Sequence, residues 1–158
     1  VSTEFRRFGL LLVLISLNSC TPKLHMQDPP KLADKSEFEL VVRENFEEKR
    51  FELHLNSKTE RALCFQLDSW PNAFGQLHFA GTSVHVTVNN TDYPIQDRNF
   101  GYCIPVKDLD CYKVLPVGGS VYGFIAFSEF DQAMYAEPNA VRVLQFKVPL
   151  FPCAQVRQ

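Results

Sequence analysis

The sequence predicts an all-β, antiparallel fold. Three observations carry the prediction. Apolar residues recur at every second position in several short runs, the period at which a strand turns one face to a core and the other to water. Asn, Asp, Gly and Pro cluster between those runs, where turns need them. The single helical candidate, near Glu129 to Tyr135, is short.

Taken in order, the alternation begins at Phe38, Leu40 and Val42. It resumes at Phe51, Leu53 and Leu55, with Glu52, His54 and Asn56 on the opposite face. Leu63 to Leu67 reads as a short apolar strand containing Cys64. Val84, Val86 and Val88, interleaved with His85, Thr87 and Asn89, form the clearest strand pattern in the chain. Val121 to Phe127 and Val141 to Val148 complete the set. Asn89-Asn90-Thr91-Asp92 suits a hairpin turn, because Asn and Asp tolerate left-handed backbone angles. Asp97 to Gly101 and Pro116 to Gly119 also read as turns, and most prolines fall where no ladder hydrogen bond is lost. Several short strands with regular turns predict a sandwich or a barrel.

The first twenty residues are of another kind. Arg6 and Arg7 precede a ten-residue apolar run, Phe8 to Leu17, and Leu17-Asn18-Ser19-Cys20 follows. A run of ten is too short to cross a bilayer, which takes roughly 20 residues, but it matches the apolar centre of an export signal. The small residue before Cys20 and the aliphatic Leu17 resemble the signal of bacterial lipoproteins, although Asn18 is larger and more polar than the pattern prefers. The resemblance implies cleavage before Cys20, lipidation of Cys20 and, from Thr21, sorting to the outer membrane. Three regions are then expected: a signal peptide over 1–19, a lipid-proximal linker over 20–36 and a β-sandwich domain over 37–158. Pro22, Pro29 and Pro30 stiffen the linker.

An acylated Cys20 leaves Cys64, Cys103, Cys111 and Cys153, an even number in a compartment that permits disulfides. Four cysteines allow three pairings. The favoured one joins Cys103 to Cys111 across a short loop and Cys64 to Cys153, pinning the C-terminus to the body. The spacing has no paired C-x₂-C units, so it does not read as a zinc site.

The segments Asn56 to Phe65 and Leu115 to Phe124 resemble the turn-and-return strands of immunoglobulin-like β-sandwiches. The expected architecture is therefore an antiparallel, immunoglobulin-like β-sandwich. The antibody Cys…Trp…Cys pattern is not met, since Trp70 follows Cys64 by only six residues.

Chemistry is sparse. A formal charge of −2 gives no basic excess for nucleic acid. No G-x-S-x-G elbow and no H-E-x-x-H motif is present. Asp97-x-Asn99-x-Gly101 lacks the flanking acids and distal glutamate of a calcium loop. His54 and His85 would hold a metal only if their strands paired; His78 is the remaining histidine of the domain. Three aromatic residues are the candidates for partner binding. Trp70 and Phe74 lie in the turn-rich stretch Asp68 to Gly75, and Tyr102 adjoins Cys103. Tryptophan and tyrosine are enriched at interface hot spots.

The expected function is a non-enzymatic binding or scaffolding protein without cofactor, held in the periplasm by its lipid and partnered with another envelope protein. Two alternatives stand beside it. One is an inhibitor or immunity protein against a cell-wall hydrolase or toxin. The other is a metal-binding protein using His54 and His85.

Overall fold

The structure, a computed structural model, describes residues 31–77, 84–96 and 111–155. It is all-β, with antiparallel sheets and no helix longer than a 3-10 turn among the described residues. Nine strands are present there: β1 (Phe38–Asn45), β2 (Arg50–Ser57), β3 (Leu63–Gln66), β4 (His85–Val88), β5 (Thr91–Pro94), β6 (Tyr112–Leu115), β7 (Ser120–Ala126), β8 (Arg142–Gln145) and β9 (Phe151–Pro152). They form three three-stranded sheets, ordered β1-β2-β7, β6-β3-β9 and β5-β4-β8.

The inner faces of all three sheets meet in one core. Phe51, Leu53 and Leu55 from β2 join Leu63 and Phe65 from β3, Val86 and Val88 from β4, Leu115 from β6 and Leu144 from β8. The period-two pattern of β2 explains its share, since alternate residues are buried along the strand. Leu63, Cys64 and Phe65 are buried in succession, so β3 is covered on both faces and shows no alternation.

The β4–β5 hairpin forms as its sequence predicts, one residue earlier. Val88 pairs with Thr91, and Asn89 and Asn90 take the left-handed angles of a two-residue turn, with φ of 49° and 64°. Thr91 and Asp92 therefore belong to β5. There the Thr87 hydroxyl donates to the Asp92 carboxylate at 2.6 Å.

Glu129 to Tyr135 does not form a helix. Two 3-10 turns, Phe127–Glu129 and Gln132–Tyr135, stand there instead. Asp131 caps the second through the Ala133 N–H. Arg142 holds the segment in place. Its side chain is fully buried, and it donates to the carbonyl oxygens of Met134 (3.1 Å), Ala140 (2.8 Å) and Glu137 and to Glu44 Oε1 (2.9 Å). The rings of Phe46 and Phe127 flank the guanidinium. A charge out of water needs such a set of partners.

The domain body begins ahead of Glu37. The Ala33 N–H donates to the Leu150 carbonyl at 2.7 Å, and Asp34 and Glu37 form a capping box around the turn Lys35–Glu37. Arg61 then forks onto Glu37 through Nε and Nη2, each at 2.8 Å. Ala33 and Asp34, assigned to the linker by composition, are thus hydrogen-bonded to the body of the domain.

Cys64 and Cys153 form the expected disulfide. Cys111 is buried and forms no disulfide among the described residues, and the bridge expected to Cys103 falls outside them. Cys103, the expected lipidation site Cys20, Tyr102 and His78 lie outside the described residues.

Candidate functional site

The candidate site is the outer face of the β1-β2-β7 sheet together with the loop Pro71–Gln76. Strand register sets the face. Val41, His54 and Tyr122 stand in one row, and Arg43, Glu52 and Phe124 in the next. The His54 and Tyr122 rings meet edge to face at 4.6 Å. Tyr122 is 65% exposed nonetheless. Beside them, the Ser120 hydroxyl donates to Asn56 Oδ1 at 2.7 Å.

The loop is rigid by construction. Asn72 Oδ1 accepts from the N–H groups of Phe74 (2.8 Å) and Gln76 (3.0 Å), an Asx turn with a second bond. The Gly75 N–H closes the turn onto the Asn72 carbonyl. Gly75 takes a φ of 75°, and a Cβ there would lie 2.4 Å from the Phe124 ring. Both the angle and the space require glycine. The Gly75 carbonyl accepts the Ala126 N–H at 3.0 Å, so the loop runs along the edge of β7. Phe74 emerges from this loop 77% exposed.

Trp70 has a different place from the one its loop context suggests. It is 3% exposed and packs between Phe65 and Phe146. Its Nε1–H donates to the Tyr122 carbonyl at 3.4 Å. A Cβ on Gly123 would stand 2.6 Å from that nitrogen, so the glycine is the slot that admits the indole. As a core residue Trp70 is not accessible to a partner, and of the loop pair only Phe74 is. The missed residue is Tyr122. Its signal was present, an aromatic ring at an outward position of an alternating strand.

Charges on the face balance. Arg50 pairs with Glu48 (2.6 Å) and Glu52 (2.8 Å), and Lys58 pairs with Glu39 (3.2 Å). Arg43 matches the remaining negative charge. Hydrogen bonds from Arg50 and then Asn45 hold the Glu52 carboxyl below the usual carboxylate range.

His54 and His85 do not share a sheet. His54 lies on β2 and His85 on β4, opposite Pro94 and Gln145. No group of three or more metal-ligating side chains occurs among the described residues. A shallow cleft near the start of the body, between Lys31, Leu32 and Pro152, has the Arg61–Glu37 pair in its lining. That pair already satisfies both charges.

No family model matches the chain, and no curated protein does.

Proposed function

We propose that this chain is a non-catalytic binding module of the bacterial cell envelope, tethered to the outer membrane by a lipid on Cys20 and built on an immunoglobulin-like arrangement of strands. The observation that carries the binding role is the locked Asn72–Gly75 loop, which holds an exposed Phe74 beside the face bearing Tyr122. A loop backbone held before binding loses little entropy on contact, so an aromatic residue carried on it contributes more net affinity.

The location rests on sequence. Arg6-Arg7, the apolar run and Leu17 to Cys20 support export and lipidation. The Cys64–Cys153 bridge is consistent with an oxidising compartment. An inhibitor of a hydrolase or toxin would use the same loop, since an aromatic side chain protruding from a hydrogen-bonded turn is a shape that enters a cleft.

The test has two parts. Cys20→Ser should move the protein from the membrane fraction to the soluble fraction, and unchanged fractionation would reject the anchor. A photocrosslinking residue in place of Phe74 should capture an envelope component in living cells. The same probe in place of Lys35, at the far end of the sheet, should not. Equal capture at both positions would reject the loop as the binding element.

A further inference from the structure

We propose that the face around Tyr122 and Phe74 binds an uncharged saccharide chain; this rests on the binding-module reading and names its ligand class. Four observations lead there.

The face is too small for a stable protein dimer. Two strands of eight residues and one of seven, about 4.8 Å apart, cover roughly 400 Å². A standard interface buries about 800 Å² on each partner. Strand addition by an extended peptide, which uses a free sheet edge, is obstructed at β7, the edge beside Tyr122 and Phe74. There Trp70 Nε1 and the Gly75 carbonyl already bond Tyr122 and Ala126. Charge balance across the face removes the attraction that an anionic polymer would require. What remains is an exposed ring at Tyr122, a second at Phe74, and hydrogen-bonding groups on His54, Asn56 and Ser120.

That combination matches a sugar. A pyranose has an apolar C–H face that lies on an aromatic ring and a rim of hydroxyls that both donate and accept. The Asn56 amide, the Ser120 hydroxyl and the Tyr122 phenol likewise do both. The strand order places these polar groups beside Tyr122, and the loop that carries Phe74 lies further along β7, with Gly75 against Phe124 and Ala126. An elongated ligand, several residues of a glycan rather than a monosaccharide, fits this layout.

Calorimetric titration of the whole chain with chitotetraose, cellotetraose and maltotetraose tests the proposal. At least one of these neutral tetrasaccharides should bind saturably. Tyr122→Ala and Phe74→Ala should each raise its Kd about tenfold or more, a loss of about 1.4 kcal/mol. Both residues are exposed, so both variants should still unfold cooperatively, Tyr122→Ala slightly lower for the loss of its ring contact with His54, and that measurement separates lost contact from lost fold. Absence of binding by all three sugars at millimolar concentration would overturn the proposal. So would binding that survives both substitutions. Capture of a protein through Phe74 without any sugar binding would overturn the saccharide assignment while leaving the binding module intact. Absence of both would remove both.

Discussion

Two side chains show how single residues determine this fold. Gly123 gives up its Cβ so that Trp70 can lie across β7, and Gly123→Ala would force the indole out of its slot. We expect a loss of about 1–3 kcal/mol, the usual range for overpacking a core, read as a lower urea midpoint with a red-shifted Trp70 emission. Arg142 is the second case. Hydropathy places Val141 and Val143 inside and Arg142 outside, and the structure reverses them: Val141 is 76% exposed while the Arg142 guanidinium is buried. The reason is the set of carbonyls from Met134, Glu137 and Ala140, which no local pattern could announce because they come from an irregular segment. Arg142→Met should cost about 3 kcal/mol or more, since several buried carbonyls would lose their donor. Glu44→Gln should cost less than half of that, because the carbonyls keep theirs. Equal losses in the two variants would show that the ion pair, not the carbonyl set, carries the stability.

At the scale of elements, the legible strands were those with one wet and one dry face. β2, β4 and β7 alternate cleanly, and each was recognisable from its spacing. β5, β6 and β9 were not. Thr91 to Pro94 is short and mostly exposed, Tyr112 to Leu115 mixes lysine with apolar residues at an edge, and Phe151–Pro152 is only two residues long. Short strands at a sheet edge carry little burial, so they leave little pattern. The loop before Gly75 was visible as a turn, but its neighbour across space, Tyr122, depended on a register that only the assembled sheet provides. The capping turn Lys35–Glu37 allows a test at this scale. The Asp34 N–H bond, and then Arg61, hold the Glu37 carboxyl below its ordinary range, and bonds from Ser36 do the same for Asp34. A carboxylate with a depressed folded value stabilises the fold above its unfolded value, near pH 4.3 for glutamate. That contribution is lost as pH falls through the folded value. Glu37→Gln should therefore flatten the decline of the urea midpoint as pH falls below about 4.3. An unaltered slope would mean that Glu37 contributes nothing to acid sensitivity.

At the scale of the whole molecule, the two ends of the β1-β2-β7 sheet differ. Phe38, Ser57 and Ser120 mark one end, where residues 33–37 join the body and the Ala33 N–H meets Leu150. Asn45, Arg50 and Ala126 mark the other, beside Gly75 and the Phe74 loop. The Cys64–Cys153 bridge spans a sequence separation of 89 residues. On a chain-entropy account a closure of that length is worth about 4–5 kcal/mol. The Cys64→Ala/Cys153→Ala protein should lose about that much in guanidinium unfolding, and a loss below about 1 kcal/mol would show that the reduced chain retains the closure by packing alone. Because the body begins at one end of the strands and the Phe74 loop stands at the other, a pull between the proposed lipid anchor and a ligand held at Phe74 would run lengthwise along the sheet. The rungs between β1 and β2 would then take the load side by side in shear instead of peeling one after another, a geometry suited to holding fast under mechanical tension.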